Sequence, residues 1–201
     1  MNRVKTAVLV SGGGTNLQAL INEQQAGRLP HVEFVSVIAS RPDAYALTRA
    51  QKAGIPGHVV ARKGQSQEAF EQGILDLLEK DGVQLIILAG FMSILSASFV
   101  QRYPRRILNV HPALLPAFGG KGCYGLHVHE AALARGVKVT GATVHYVNEI
   151  ADGGEIILQK AVAVEPGDTP ETLQRRVMEQ AEWRILPHAA ELAAQEILEE
   201  K

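Results

Sequence analysis

The sequence has one cysteine, few aromatic residues and no excess of charge of either sign. The single cysteine, Cys123, excludes an intrachain disulfide framework. A net charge of −1, from 20 basic and 21 acidic residues, argues against a nucleic-acid-binding surface. No apolar stretch reaches the roughly 20 residues of a membrane helix, and the first residues do not resemble a secretory signal. These absences predict a cytoplasmic protein without nucleic-acid or membrane partners.

The chain does have enough apolar residues for a two-sided core, since 46% of its 201 residues are hydrophobic. Short β-branched runs predict strands at Thr6–Val10, Val32–Ile38, Leu85–Leu88 and Ile107–Val110. Helical patterns separate them, at about Asn16–Gln25, Ala44–Ala53, Ser66–Lys80 and Ser96–Arg102. Nearly continuous apolar strands are typical of parallel sheets covered on both faces. We therefore expect an α/β fold, a Rossmann-like open sheet with helices on both faces.

The last third of the sequence has a different pattern. Lys138–Val147 alternates between apolar and polar residues, and Glu155–Val164 is a second strand-like run after a turn-forming Asp-Gly-Gly. These two runs predict an antiparallel pair, so the sheet is mostly parallel with an antiparallel C-terminal portion. Thr169 as N-cap and Pro170 at the first helical position then start a helix that runs to near the C-terminus.

A glycine-rich segment, Ser11–Asn16, lies between the first predicted strand and the first helix. Glycines let the backbone approach a ligand closely, and the free N–H groups of a helix start attract anions. The segment lacks the lysine of a P-loop, and Leu17 stands where a dinucleotide-binding turn has its third glycine. A phosphate monoester fits this pattern better than a pyrophosphate, and a simple turn is the alternative.

Asn109 and His111 end the last predicted parallel strand and point to one side of it. Pro112 holds His111 in extended geometry, and Asp152 comes from the Asp-Gly-Gly loop. An amine that attacks a formyl group creates an oxyanion, which an amide N–H and an imidazolium stabilise. A nearby carboxylate would raise the imidazole pKa and hold the ring charged. The trio predicts formyl transfer, and a structural role at the strand end is the alternative.

Two further groups of residues have competing interpretations. Three histidines, His127, His129 and His145, suggest zinc, but the segment Leu126–Arg135 has the pattern of a helix and no cysteine partner is placed. We therefore expect no metal. The segment Phe91–Leu95 can be core, yet it begins at the carboxyl end of a strand, where an apolar slot suits a flat heterocycle.

Taken together, four segments resemble the phosphoribosylglycinamide formyltransferase family, folate-dependent enzymes of purine biosynthesis. They are Ser11–Leu17, Leu88–Met92, Asn109–Pro116 and Asp152–Gly154. The resemblance implies transfer of a formyl group from 10-formyltetrahydrofolate to the amine of glycinamide ribonucleotide, which gives N-formylglycinamide ribonucleotide and tetrahydrofolate. It also implies one formyltransferase domain, residues 1–201, with a phosphate-binding part (1–110) and a folate and catalytic-loop part (111–201), as a monomer or weak homodimer.

The resemblance assigns roles to individual residues. Asn109, His111 and Asp152 would be catalytic, and His127 matches a histidine that pairs with the catalytic aspartate in some members. Glu182 would contact the ribose, and the phosphate would be held by Gly13, Gly14, Thr15 and Asn16. The folate would lie against a set of mainly apolar residues: Gln67, Leu88, Phe91, Met92, Ile94, Leu95, Val100, Asn109 and Val147.

The chain departs from the family pattern at three places. Gln67 stands where an arginine often meets the glutamate tail of folate, and Glu179 where Lys or Gln is common near the phosphate. The segment Ala117–Tyr124 is longer than in some relatives. Rival functions are another 10-formyltetrahydrofolate-dependent formyltransferase, the corresponding hydrolase, and a non-catalytic sensor of phosphoribosyl ligands. The intact trio and the glycine-rich segment favour the enzyme that uses glycinamide ribonucleotide.

Overall fold

Seven strands form one sheet in a computed structural model that describes residues 2–200. The strands are β1 (Val4–Val10), β2 (Val32–Ala39), β3 (Gly57–Val59), β4 (Leu85–Leu88), β5 (Ile107–His111), β6 (Val139–Tyr146) and β7 (Ile156–Ala163). The helices are α1 (Thr15–Gln25), α2 (Ala46–Lys52), α3 (Gln67–Asp81), α4 (Ala97–Gln101), α5 (Leu126–Arg135), α6 (Pro170–Val177) and α7 (Trp183–Glu199). A π-helical turn, Met178–Glu182, joins the last two helices.

The strand order is β3-β2-β1-β4-β5-β6-β7. Strands β1 to β5 pair in parallel, whereas β6 is antiparallel to both β5 and β7. The predicted mixed sheet is therefore confirmed. The edge strand β3 was not predicted, because three residues that include Gly57 are too short to show a strand pattern.

Apolar layers cover both faces of the sheet, because successive strand residues point to opposite sides. Val8 of β1 belongs to the layer with α1, α2, α6 and α7, while its neighbour Leu9 belongs to the layer with α3 and α4. Phe70 of α3 is completely buried in the second layer, and its replacement by alanine would cost about 3–5 kcal/mol. The expected helices on both faces are present.

The C-terminal helix begins as predicted but is not one regular helix. The Thr169 Oγ1 accepts from Thr172 N at 3.3 Å, the Thr172 Oγ1 accepts from Thr169 N at 2.9 Å, and Pro170 follows at the first helical position. The π-helical turn then interrupts the helix. A π-helical turn adds one residue to the helix at a single place, and the N-cap and proline that predict the helix start do not locate it.

The strand order brings the loops after β1, β4 and β5 to one edge of the sheet. Ser11 N donates to Gly90 O at 3.1 Å, and Met92 N donates to the Ser11 Oγ at 2.9 Å, so the first two loops are bonded directly. Ligands of open α/β sheets bind at such a carboxyl edge, where the strand order reverses. Within residues 2–200, no helix is long and apolar enough to cross a membrane.

Candidate functional site

Asn109 and His145 face each other across β5 and β6, where they are register partners. The His145 Nδ1 lies 2.9 Å from Tyr146 O, and a carbonyl can only accept, so Nδ1 carries the hydrogen. The His145 Nε2 lies 3.2 Å from the Asn109 Nδ2, and in the tautomer with its hydrogen on Nδ1 it accepts from that amide. This bond fixes the orientation of the amide and leaves its second N–H free for a ligand.

His111, two residues along the same strand, is buried with 3% of its surface exposed. Its Nε2 lies 2.8 Å from Phe118 O and must donate to it, while its Nδ1 lies 3.6 Å from the Asp152 Oδ2. Burial is the largest influence and lowers the pKa of His111, although Asp152 favours the charged ring. Asp152 raises the pKa of His111 as predicted, but burial outweighs the carboxylate, so the net change is a lowered pKa.

Asp152 reaches the two histidines from the loop between β6 and β7. Its Oδ1 lies 3.6 Å from the His145 Nε2, and its Oδ2 accepts from Gly120 N at 2.8 Å. Burial opposes ionisation of Asp152, but the histidines and the Gly120 amide outweigh it and lower the pKa. The site thus contains a carboxylate, two imidazoles and an oriented amide.

The backbone around Asp152 explains the Asp-Gly-Gly sequence. Asp152 itself has φ of +55°, a left-handed conformation that aspartate tolerates better than most residues. A Cβ at Gly154 would lie 1.6 Å from Tyr146 O, and a Cβ at Gly153 would lie 2.7 Å from the Ile150 Cγ2. Only glycine fits these two positions, so the tight loop that carries the carboxylate needs both.

The glycine-rich segment presents backbone donors at the start of α1. Gly12 O accepts from Ala46 N at 3.1 Å, and Gly13 O accepts from the Arg49 Nε at 2.8 Å, so these carbonyls point toward α2. Gly14 is the N-cap, with φ of +71°, and within residues 2–200 no side chain caps the helix. The first N–H groups of α1 are therefore available to an anion.

Asn16 and Glu182 join this segment to the C-terminal helix. The Asn16 Nδ2 donates to the Glu182 Oε2 at 2.7 Å. Both residues are buried, and burial raises the pKa of Glu182 although the bond from Asn16 opposes that change. The π-helical turn ends at Glu182, which places its carboxylate beside the glycine-rich segment, whereas Glu179 in the same turn is exposed.

The apolar residues expected to form the slot divide into three groups by burial. Leu88 and Val100 are almost completely buried in the core, with Phe91, Leu95 and Val147 packed partly against it. Two others reach solvent, since Met92 is 58% and Ile94 72% exposed. Leu88 and Val100 are too deeply buried to contact a ligand. The apolar surface open to a ligand is formed by the other five: Phe91, Met92, Ile94, Leu95 and Val147.

Gln67 lies beside this surface, but its side chain is bonded within the chain. The Gln67 Nε2 donates to Ile94 O at 2.9 Å and to the Glu71 Oε1 at 2.6 Å. Glu71 also accepts from Ser96 N at 2.6 Å. These bonds fasten α3 to the segment 90–96, so Gln67 contributes to the position of the slot.

The structure places the three histidines considered as zinc ligands in different surroundings. The expectation that His127 pairs with the aspartate is wrong: its Nδ1 lies 2.9 Å from the Glu130 Oε2 on the exposed side of α5. His145 stands near Asp152 instead. His129 is completely buried, and burial, with His111 nearby, lowers its pKa to about 4. In the part of the chain that the structure describes, no group of His, Cys, Asp and Glu is arranged to hold a metal.

Comparisons with known proteins place the chain in a family. The model of the formyl transferase family, described as "Formyl transferase", matches residues 4–190, so the chain belongs to this family. The phosphoribosylglycinamide formyltransferase of Haemophilus influenzae is 43% identical over 91% of this chain and 84% of its own length. The resemblance seen in the sequence is thereby confirmed.

Two further relatives show the range of proteins that contain this domain. Glycinamide ribonucleotide transformylase 1 from Symbiobacterium toebii superposes with a TM-score of 0.89 at 42% identity, over 96% of this chain and 88% of that one. The trifunctional purine biosynthetic protein adenosine-3 of Gallus gallus is 46% identical over 96% of this chain. The chain spans only 19% of that longer relative.

Proposed function

We propose that this chain transfers the formyl group of 10-formyltetrahydrofolate to the amine of glycinamide ribonucleotide. The observation that carries the proposal is the convergence of Asn109, His111 and Asp152, together with His145, at the carboxyl edge of the sheet. An anion-binding helix start lies on one side of the same edge and an apolar surface on the other. The relatives named above as phosphoribosylglycinamide formyltransferases support the choice of substrates.

In this proposal the formyl oxygen is held by two donors. The free N–H of Asn109 is one, and the Nε2–H of His111 is the other. In the structure this Nε2–H binds Phe118 O, so in the proposed reaction Phe118 O has to leave before the formyl oxygen takes its place. When the amine attacks the formyl carbon, the oxygen becomes an oxyanion, and donors already aimed at it stabilise the transition state.

Asp152 moves the proton in the proposed reaction. The attacking nitrogen must lose a proton, and Asp152, whose lowered pKa keeps it ionised, accepts it. The bond between the formyl carbon and N10 of the folate then breaks, N10 takes up the proton that Asp152 accepted, and Asp152 is ionised again. No charge of His111 is needed, since the neutral ring still donates from Nε2.

We further propose how the two substrates lie. The phosphate of the ribonucleotide binds the N–H groups at Gly13–Asn16, and Glu182 contacts the ribose. The pterin lies against Phe91, Leu95 and Val147, with the remaining predicted folate residues around it. Each substrate then touches residues from both 1–110 and 111–201, so neither part would bind one substrate alone.

A comparison of substrates tests the proposal. The chain is incubated with 10-formyltetrahydrofolate and glycinamide ribonucleotide, methionyl-tRNA or water alone, and the formylated products are identified by mass spectrometry. Formation of N-formylglycinamide ribonucleotide, with slow hydrolysis in its absence, is expected. Formyl transfer only to methionyl-tRNA, hydrolysis alone, or ribonucleotide binding without turnover would each contradict the proposal in favour of a rival function.

A further inference from the structure

Arg62 lies beside the apolar slot, on the segment that connects β3 to α3. Its Nη1 donates to Gln65 O at 2.6 Å, and its Nη2 donates to the Gln67 Oε1 at 3.2 Å. Gln67 in turn donates to Ile94 O at 2.9 Å. The guanidinium is therefore connected to the edge of the slot through one amide side chain.

Aromatic rings fix the same position. The guanidinium carbon of Arg62 lies 5.5 Å from the centroid of the Phe70 ring, a favourable distance for a cation over an aromatic face. Phe70 stacks on Phe91 with a centroid distance of 6.2 Å and an interplanar angle of 10°. Because Phe91 belongs to the proposed pterin surface, Arg62 is held close to that surface before any ligand binds.

The charge of Arg62 is not balanced by a carboxylate among residues 2–200. Other arginines do form such ion pairs: Arg28, Arg41, Arg102, Arg105, Arg106 and Arg176. Glu71, the acid bonded to Gln67, is occupied by Ser96 N and the Ser96 Oγ. Arg62 makes its hydrogen bonds to neutral oxygens only, so its remaining N–H groups suit a carboxylate.

We infer that Arg62 binds a carboxylate of the glutamate tail of 10-formyltetrahydrofolate. The inference rests on the proposed function, in which the pterin lies against Phe91. It moves the tail contact from position 67, where Gln67 has no charge, to position 62, and it makes Gln67 the residue that orients the guanidinium. Lys63, next along the chain and exposed, adds positive charge for further glutamates on the tail.

Calorimetry with two ligands tests this assignment. Tetrahydrofolate carries the glutamate, and tetrahydropteroate is the same molecule without it. Loss of a hydrogen bond between charged groups should raise the Kd of Arg62→Gln for tetrahydrofolate by about 10-fold or more, with the Kd for tetrahydropteroate within about twofold of the parent. Arg62→Lys keeps the charge but not the fork geometry. Its Kd for tetrahydrofolate should therefore lie between those of the parent and of Arg62→Gln.

The control is Arg175→Gln, which removes the same charge from an exposed position on α6 and should leave both Kd values unchanged. An equal loss for both ligands in Arg62→Gln would indicate a distorted slot, and no loss would place the tail elsewhere. Either result overturns the inference.

The parent chain separates this inference from the proposed function. A parent that binds folate without transferring its formyl group would refute the proposed function but not the assignment of Arg62 to the glutamate tail. A parent that binds neither ligand would refute both.

Discussion

The side-chain amide of Asn109 is oriented by His145, whose Nε2 lies 3.2 Å from the Asn109 Nδ2. The carbonyl of Tyr146 sets the tautomer of His145, so a backbone atom determines which way the Asn109 amide points. In the proposed reaction this arrangement aims the second N–H of Asn109 at the formyl oxygen. His145 therefore positions Asn109, and its Nε2 also lies 3.6 Å from the Asp152 Oδ1.

Replacing His145 tests this relationship. His145→Phe fills the buried space but offers no acceptor, and we expect kcat to fall by about 10- to 100-fold with little change in KM, because the amide loses its fixed direction. His145→Gln can still accept from Asn109 and should recover part of the loss. Steady-state kinetics would show both effects, with the exposed His188→Ala as control. A His145→Phe enzyme as fast as the parent would remove His145 from the account.

Asp152→Asn tests the electrostatic relationship with His111. Burial already lowers the pKa of His111, and Asp152 opposes that effect. Removal of the carboxylate should therefore lower the pKa further, so that the ring becomes protonated only at a more acidic pH. NMR titration of the imidazole measures this shift, and we expect both ligands to bind with nearly unchanged Kd. A His111 titration at the same or a higher pH would contradict the prediction.

Gly13 and Gly14 should respond differently to a side chain. A Cβ at Gly13 meets nothing within 4 Å, so Gly13→Val should keep the fold and weaken binding of glycinamide ribonucleotide by obstructing its phosphate. A Cβ at Gly14 would lie 2.7 Å from the Ala46 Cβ, at φ of +71°, so Gly14→Ala should lower the Tm. Thermal unfolding and calorimetry with each substrate separate the effects. Equal weakening of folate and ribonucleotide binding in Gly13→Val would count against the phosphate site.

Glu182→Gln should make stability less dependent on pH. Burial raises the pKa of Glu182 in the folded chain, so the folded state binds this proton more tightly than the unfolded state. The stability that depends on it is present at acidic pH and is lost as the pH rises through the raised pKa. Thermal unfolding across this range should show a flatter Tm profile for the variant, while its affinity for the ribonucleotide falls. A parallel Tm profile would show that Glu182 does not titrate in this way.

The sequence was informative wherever local pattern determines structure. Apolar runs located β1, β4 and β5, and the alternate spacing of Asn109 and His111 correctly placed both at the end of one strand. The position of His145 beside Asn109 could not be found in this way, because it depends on the register between β5 and β6. Which residues face each other on two neighbouring strands depends on how distant parts of the chain pair. The spacing of residues within one segment does not reveal this.

The remaining differences have similar physical causes. The balance between burial and Asp152 at His111 depends on how deeply the folded chain covers the ring, which the sequence does not state. The bond from the His111 Nε2 to Phe118 O depends on a loop whose path follows no periodic pattern. Likewise, Arg62 is connected to the slot through Gln67 and Phe70, which are contacts between side chains.

Single-turnover measurement of formyl transfer tests the central claim most directly. Enzyme in excess over 10-formyltetrahydrofolate is mixed with glycinamide ribonucleotide, and N-formylglycinamide ribonucleotide is followed for the parent, Asn109→Ala and His111→Ala. Loss of one oxyanion donor should slow the chemical step by about 10²–10³-fold in each variant, and the two losses should be less than additive in the double variant. Transfer within about threefold of the parent rate in either variant, with both ligands bound, would contradict the assignment of that residue.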